Sequence, residues 1–157
     1  MSDERKPIED VVKGGDVAMF TTVDEAGRLT SRPLTVAEAT RGSVVFLVDH
    51  TADWVRTSNF GASVNAAVSS GGRNDWASLT GTARLGTDRT VIDRLWSPAA
   101  GAYFDGKDDP RIAALELSID SGEYWSAPGG GPIGRLLSIV GAAANREVGS
   151  HGEVSPD

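Results

Sequence analysis

Arg32 is the residue in this sequence that is best suited to bind a ligand. It lies in the stretch LTSRPLTV (29–36), which alternates like a β-strand, so Arg32 is expected to share a face with Leu34 and Val36. A guanidinium on a largely apolar face can clamp a phosphate or a carboxylate through its rigid fork of donors. It can equally pair with an acid across the sheet or extend its charged end into solvent. Pro33 cannot donate to a β-ladder, so it predicts an edge or a break in pairing beside Arg32.

Few other residues offer catalytic chemistry. The chain contains no cysteine, which removes disulfides, thiol catalysis and zinc–thiolate sites. The only histidines are His50 and His151, so a multi-histidine metal site is not expected. His50 ends a predicted strand without a sequence-local partner, and a surface position is favoured over an acid–base role. We therefore assign no catalytic side chain and no metal ligand.

Two further motifs are better explained by structure than by chemistry. The glycine-rich run 129–135 could cradle a phosphate at a helix start, but it lacks the spacing and the Lys-Ser/Thr pair of a P-loop. A flexible linker is the favoured interpretation. The carboxylates of Asp105, Asp108 and Asp109 lack the spacing of an EF-hand, so they predict a solvated loop before Pro110.

The four tryptophans, Trp54, Trp76, Trp96 and Trp125, fall on four different predicted elements. Core packing is the ordinary role of such residues. The aromatic content is otherwise low, 6% in all, and a planar ligand would use these rings as stacking walls. The sequence leaves core packing and ligand stacking about equally favoured.

The bulk composition excludes several classes of function. The chain has 157 residues, of which 39% are hydrophobic and 24% charged, as in an ordinary globular domain. Its net charge of −7 disfavours nucleic-acid binding, which needs a basic surface. No run approaches the ~18 apolar residues of a membrane span. The charged first ten residues lack the apolar core of a signal peptide, so a cytoplasmic location is expected.

The elements that must position these residues are mostly short strands in local order. They predict a mainly β fold, an antiparallel barrel or sandwich with flanking helices. The predicted strands are 16–23, 29–36, 42–49, 63–70, 76–86, 111–119 and 122–126, the last two separated by a tight turn. The predicted helices are 7–14, 51–60 with Thr51 as a possible N-cap, 88–104 capped by Asp88 and interrupted by Pro98, and a C-terminal helix beginning near Pro132.

Three finer expectations accompany this assignment. Strand 42–49 is apolar on both faces, so both faces should be covered. Gly81 within strand 76–86 suggests a bulge or a close approach of backbone. The absence of an internal linker predicts a single domain over residues 1–145, followed by a disordered tail at 146–157.

The order of these motifs resembles that of the pyridoxamine 5'-phosphate oxidase-like flavoproteins. The first half of the resemblance lies in TTVDEAGRLTSRPL (21–34), VVFLVD (44–49), VNAAVSS (64–70) and WASLTGTARL (76–85). The second half, LWSPAAGAYFDGKDDPRIAALEL (95–117) with GEYW (122–125), is similar to the general stress protein branch of that superfamily. The resemblance implies a six- to seven-stranded antiparallel split β-barrel of the FMN-binding type. It also implies a homodimer that holds FMN in a cleft between its subunits.

The resemblance implies ten cofactor-binding residues by position. The segment that meets the flavin and its phosphate corresponds to Ser31, Arg32 and Pro33. Strand ends and neighbouring strands that reach the cofactor correspond to Val48, Asp49, Thr51, Trp54, Trp76, Ser78 and Trp125. The reductant expected for an oxidoreductase of this kind is a nicotinamide cofactor or another small reductant.

The chain departs from that family pattern at the start of the helix after the third strand. Relatives usually carry a basic residue there, whereas this sequence has Asp53 and Trp54, with Arg56 as the next cation. Asp53 in the first turn of a helix would repel an anion that the helix N-terminus otherwise attracts. Three functions therefore stay open: an FMN-dependent oxidoreductase, a non-catalytic flavin-binding stress protein, or a relative that binds another cofactor such as a deazaflavin or haem.

Overall fold

The computed structural model describes residues 5–70, 72–73, 75–126 and 150–156. Its strands are β1 (Arg5–Pro7), β2 (Val17–Val23), β3 (Leu29–Thr40), β4 (Ser43–Asp49), β5 (Val64–Ser70), β6 (Asp75–Gly86), β7 (Ile112–Ser126) and β8 (Ser150–Ser155). Its helices are α1 (Ile8–Val11), α2 (Asp53–Thr57), α3 (Arg89–Leu95) and a 3-10 turn at Ala100–Ala102. No helix within these ranges is long and apolar enough to cross a membrane.

Six of the strands close into an antiparallel barrel. The sheet runs β1-β8-β7-β4-β3-β2-β5-β6, and β6 pairs again with β7 to complete the ring. The two outermost strands, β1 and β8, extend the sheet beyond the ring, where β1 runs parallel to β8. The mainly β, antiparallel barrel expected from the sequence is confirmed.

The hairpin of β2 and β3 carries the segment that contains Arg32. Its turn is set by Asp24, whose Oδ1 accepts the backbone N–H groups of Ala26 and Arg28, both at 2.9 Å. Gly27 occupies the left-handed region there, with a φ of 78°. Residues 29–35 of β3 pair with β2, but pairing with β4 begins only at Val36. The edge that Pro33 predicts is therefore present among the described strands.

The core fills the ring and is covered again outside β4. Inside, the rings of Phe20 and Phe46 meet edge to face with centroids 5.4 Å apart. Outside, Val45 packs with Leu95 of α3 and Ala114 of β7. The expectation that both faces of this strand are covered is confirmed, because alternate residues of β4 serve two different apolar clusters.

One long strand, β7, replaces the two closing strands that the sequence predicts. It continues through Asp120 because the register with β6 shifts there: Gly81 pairs with Ile119, whereas Thr80 pairs with Ser121. The predicted turn is thus a β-bulge, which bends a strand without ending its pairing. A Cβ built on Gly81 would lie 1.8 Å from the carbonyl oxygen of Ser118, so the close backbone approach expected at this glycine is confirmed.

The helices are shorter than the sequence predicts. α2 begins after Ala52 rather than Thr51, and no side chain caps it. Instead, the Thr51 hydroxyl donates to the carboxylate of Asp49, which removes it from a capping role. Asp88 does cap α3, as predicted, by accepting the N–H of Thr90 at 2.9 Å.

The two C-terminal predictions have different outcomes. Residues 150–155, expected in a disordered tail, form β8 because their backbone completes the pairing of both β7 and β1. The predicted C-terminal helix beginning near Pro132 lies outside the described residues.

Candidate functional site

An open groove of about 750 Å³ lies beside β3 and β4. Four of the predicted cofactor-binding residues line it: Pro33, Val48, Asp49 and Trp54. Further lining comes from neighbouring residues of β2, β3, β4 and α3 and from the chain segment after α3, which contributes the rings of Tyr103 and Phe104. Tyr103 is 74% exposed, so its ring stands at the rim of the groove. The lining is mainly apolar and aromatic, as is typical of sites for planar small molecules.

Arg32 points to the inner side of the barrel rather than into the groove. Its Nη1 donates to the carbonyl oxygen of Phe20 at 3.0 Å and to the hydroxyl of Thr22 at 2.8 Å. Its Nη2 donates to the hydroxyl of Thr30 at 2.7 Å. No carboxylate of the described residues pairs with it, so the cross-sheet ion pair that the sequence left open is absent from this part of the chain. Burial lowers the pKa of the guanidinium, which nevertheless stays charged at any physiological pH.

Trp54 joins Arg32 to the groove. Its ring lies over the Arg32 guanidinium, with 4.4 Å from Cζ to the ring centroid, and it also packs beside Phe20 at 6.3 Å. Trp54 packs against the core and also lines the groove, so its core packing is compatible with the ligand-stacking role that the sequence left open. It also lies in α2, at the helix start where the family resemblance leads us to expect a cation.

A chain of hydroxyl groups continues from Arg32 behind Trp54. The fully buried Thr22 accepts from Arg32, and its hydroxyl lies 2.8 Å from that of Ser58. The Ser58 hydroxyl donates to the carbonyl oxygen of Trp54, so Thr22 must donate to Ser58. All donors in this chain point in the same direction, which strengthens each bond in a buried setting. This series of hydrogen bonds holds α2, and therefore Trp54, against β2.

Asp49 places a carboxylate at the end of β4, in the wall of the groove. Its Oδ1 accepts the backbone N–H of Thr51 at 2.8 Å and the hydroxyl of Thr51 at 2.6 Å. These hydrogen bonds, above all that from the hydroxyl, lower the pKa of Asp49, and the charge of Arg111 lowers it further. Asp49 is therefore ionised at neutral pH.

Arg111 ties Asp49 to the loop that precedes β7. Its Nη1 lies 3.7 Å from Asp49 Oδ2, and its Nη2 donates to Asp109 Oδ2 at 2.6 Å. Asp109 also accepts the backbone N–H groups of Asp105 and Arg111, at 3.0 and 2.9 Å. The Arg111 hydrogen bonds hold the pKa of the Asp109 carboxyl far below its usual range. The loop of 105–111 is therefore an ordered, charge-paired turn, although the sequence predicts only a solvated loop.

The other predicted residues lie away from the lining of this groove. Thr51 is hydrogen-bonded to Asp49 of the lining, and Ser31 lies two residues before Pro33 of the lining. Trp76, Ser78 and Trp125 are on the far strands β6 and β7. Trp76 and Trp125 are direct cross-strand partners. Ser78 and Trp125 line a separate pocket of about 500 Å³ beside β8. Within one chain, the predicted site thus falls into two groups.

The two groups share one surface of the sheet, which we call the outer face. It consists of two cross-strand rows running over β3, β2, β5, β6 and β7: Thr35–Val17–Ser69–Trp76–Trp125 and Pro33–Met19–Ala67–Ser78–Glu123. Val17, Pro33 and Thr35 also line the groove, so the groove opens onto this face. Glu123 is the single charged residue in the two rows, in a chain whose net charge is −7.

Sequence reasoning missed three residues that shape this site: Tyr103, Phe104 and Arg111. Phe104 packs against Trp96, with ring centroids 6.4 Å apart, which anchors the segment that carries Tyr103. The aromatic pair YF directly before the polar stretch DGKDD was the available signal. Arg111 gave no signal, because its partner Asp49 is 62 positions earlier in the chain.

The fold defines a small antiparallel β-barrel protein with an open, largely apolar groove beside β3 and β4. The chain belongs to the pyridoxamine 5'-phosphate oxidase like family, whose model matches residues 3–148. The family resemblance read from the sequence motifs is therefore confirmed.

Solved structures of several relatives have the same fold. The general stress FMN/FAD binding protein of Xanthomonas citri is 30% identical and matches 76% of this chain and 85% of its own, with a TM-score of 0.61. A general stress family protein of Xanthomonas campestris is 32% identical over 73% of this chain and 81% of its own, with a TM-score of 0.60. A general stress protein 26 of Jannaschia is 26% identical over 94% and 91%, with a TM-score of 0.62.

A curated relative is protein bli-3 of Neurospora crassa. It is 26% identical over 119 residues, which cover 68% of this chain. The match spans 57% of the length of that relative.

Proposed function

We propose that this chain binds FMN in the groove and acts as an oxidoreductase. The observation that carries the proposal is the groove itself, whose 750 Å³ lies in the ordinary range for small-molecule sites and whose lining includes Pro33, Val48, Asp49 and Trp54. These positions are the ones that family resemblance assigns to the flavin. A relative at 30% identity is described as an FMN/FAD binding protein, which supports the same ligand.

The residues of the groove fit the ring of a flavin better than its phosphate. Trp54, Tyr103 and Phe104 offer flat apolar surface for a planar ring. For the phosphate, Arg32 retains an Nε–H and one Nη2–H without an acceptor among the described residues. Asp53 is 98% exposed and only weakly paired with Arg56, so it opposes an anion at the start of α2. We therefore propose Arg32 as the main phosphate contact.

The electron chemistry would be that of the flavin when bound, with a nicotinamide cofactor as reductant. The role of the chain is to hold and orient the ring and to exclude water from one of its faces. Asp49 is ionised and held by Thr51, so it can accept a hydrogen bond but cannot act as a general acid near neutral pH. No side chain of the groove is required to move a proton.

A non-catalytic flavin-binding stress protein is the second candidate function. It is favoured by one observation: the described lining of the groove contains no acid–base pair. His50, the histidine considered as a haem ligand in the alternative cofactor hypothesis, does not line the groove, and its Nε2 lies 2.9 Å from the carbonyl oxygen of Pro110. Oxidation of NADH or NADPH by the FMN-loaded protein would separate an enzyme from a carrier.

Titration of the apo-protein with FMN tests the proposed binding. At FMN concentrations 100-fold above Kd, we expect the free energy of unfolding to rise by about 2.7 kcal/mol and the melting midpoint by roughly 5–10 °C. Differential scanning fluorimetry measures the midpoint, and quenching of flavin fluorescence gives Kd. A parallel titration with a deazaflavin shows, by comparison of the two Kd values, whether the protein prefers the deazaflavin ring to that of FMN. An unchanged midpoint at millimolar FMN would contradict the proposal.

We further propose that two copies of the chain associate through the outer face. Val17 and Met19 are 47% and 44% exposed on this face, and Trp125 is 37% exposed. An apolar, nearly uncharged surface spanning five strands is typical of a protein interface. Because the groove opens onto this surface, a second copy seated there would cover the groove. It would also bring the group of Trp76, Ser78 and Trp125 from one copy toward the groove of the other.

Replacing Met19 by glutamate should disrupt this association. A carboxylate in the middle of the outer face would be buried without a partner, which costs several kcal/mol per copy. We expect wild-type protein to elute at twice its 16.4 kDa chain mass and M19E at the chain mass, measured by size-exclusion chromatography with light scattering. Ala26→Glu adds the same charge on an exposed turn and should remain dimeric. A dimeric M19E protein would assign the interface to another surface.

A further inference from the structure

The groove contains one charged side chain among the described residues that line it. That side chain is the carboxylate of Asp49, which is 31% exposed. No lysine, arginine or histidine of the described chain belongs to the lining. The remaining lining is aliphatic or aromatic, with a few hydroxyl groups such as that of Thr35. A ligand in this groove therefore meets one charged hydrogen-bond acceptor in the lining, whereas the Arg32 guanidinium proposed for the phosphate lies outside the lining, against the ring of Trp54.

One oxygen of the Asp49 carboxylate already accepts two hydrogen bonds, and the other can still accept a hydrogen bond from a ligand. Oδ1 accepts two hydrogen bonds, from the backbone N–H and the hydroxyl of Thr51. Oδ2 lies 3.7 Å from Nη1 of Arg111, beyond the ordinary range of an N–H···O hydrogen bond. An ionised carboxylate offers about four lone-pair sites, so Oδ2 can accept from a ligand without breaking any bond that holds Asp49.

Asp49 is also rigidly placed. Thr51 fixes it from the chain that follows, and Arg111 attracts it from the start of β7. Arg111 is itself held by Asp109, whose side chain is 3% exposed. A rigidly held acceptor favours ligands that supply a hydrogen-bond donor over ligands that do not. When a ligand ring without a donor binds beside it, the Asp49 carboxylate loses hydrating water and gains no hydrogen bond in return.

We propose that Asp49 is a specificity-determining residue of the groove and that its Oδ2 accepts a ring N–H of a planar heteroaromatic ligand. This proposal rests on the flavin-binding function proposed above and deepens it. Flavins carry a donor of the required kind at N3, between two carbonyl groups. Ligands that lack a ring N–H, or that present a carbonyl or an anionic group to Asp49, are rejected. The ring, rather than the phosphate, is what this carboxylate recognises.

A pair of flavins that differ by one methyl group tests the assignment. Lumiflavin carries the N3–H and no phosphate, and 3-methyllumiflavin lacks that donor. We expect wild-type protein to bind lumiflavin at least about tenfold more tightly than its methylated form, measured by fluorescence quenching. In Asp49→Asn the lumiflavin affinity should fall by about tenfold, and the preference between the two flavins should disappear. The asparagine keeps one acceptor for Thr51, so the local turn is retained.

Asp53→Asn is the matched control, because it removes a carboxylate that is 98% exposed and outside the groove lining. It should keep the wild-type preference for lumiflavin. Equal affinities of wild-type protein for the two flavins would overturn the role of Asp49 without any variant, and so would an unchanged preference in Asp49→Asn. If FMN and lumiflavin both fail to bind the wild-type protein, the proposed function fails and this assignment fails with it. If lumiflavin and 3-methyllumiflavin bind equally tightly, the role assigned to Asp49 is wrong while the proposed flavin binding stands.

Discussion

The substitution Gly81→Ala is expected to destabilise the barrel by more than about 3 kcal/mol, a large part of the total stability of a domain of this size. The added Cβ would lie 1.8 Å from the carbonyl oxygen and 2.8 Å from the carbonyl carbon of Ser118. Both atoms belong to the backbone of β7, which is held by pairing to β4 and β6, so neither can move without breaking a ladder. Urea unfolding followed by tryptophan fluorescence measures the change.

Gly86→Ala is the matched control on the same strand. No atom lies within 4 Å of a Cβ at that position, and its backbone is not in the left-handed region. The free energy of unfolding should therefore change by less than about 0.5 kcal/mol, or rise slightly. If Gly81→Ala lost less than 1 kcal/mol, the close contact of β6 with β7 at the bulge would be disproved.

The substitution Arg32→Ala is expected to have two separable effects. The first is a loss of about 2 kcal/mol of stability, because three hydrogen bonds from a charged donor and the contact with the Trp54 ring disappear together. The loss is limited because buried Thr22 keeps its bond with Ser58. The second is a fall of about tenfold in FMN affinity, which follows if the unused N–H groups of Arg32 hold the phosphate.

Three comparisons separate these effects. Arg28→Ala removes an arginine that is 78% exposed and paired only with Asp24, so its stability should change by less than about 0.5 kcal/mol. Arg32→Lys keeps the charge but cannot reach three acceptors in a fixed fork, so an intermediate stability is expected. Lumiflavin, which has no phosphate, should bind Arg32→Ala as it binds wild-type protein. Equal losses for FMN and lumiflavin would assign Arg32 a structural role alone.

The barrel could be predicted from the sequence because its signals are local. Strand 63–70 alternates between apolar and polar residues, and its alternate residues Val64, Ala66 and Val68 are all buried. Turn-forming residues at 24–27 separate the first two β-rich runs, which pair as the hairpin of β2 and β3. The two errors on strands have a shared cause, since the bulge at Asp120 and the pairing of β8 depend on partners far away in the chain. Local turn residues cannot indicate that a distant strand will hold the backbone extended.

The candidate site was less predictable for the same reason. The position of Arg32 on the more apolar face was read correctly from alternation, but its acceptors on Phe20 and Thr22 depend on the register of β2 with β3. No pattern in the sequence connects Asp49 with Arg111, because the two residues are 62 positions apart. Family resemblance selected residues on both sides of the sheet, and only the cross-strand rows reveal that Pro33, Trp76, Ser78 and Trp125 share the outer face.

The position of β7 in the ring has a consequence for synthesis and folding. β7 closes both seams of the barrel, against β4 and against β6, yet it is the last of the six ring strands to be made. The units β2–β3–β4 and β5–β6 are joined by local hairpins and can pair early, but each keeps an open strand edge until residue 126 has emerged. Nascent chains of intermediate length therefore present two unsatisfied edges, which are sites of intermolecular pairing. Closure by a distant strand also raises the contact order, so the last step of folding should be slow relative to the hairpins.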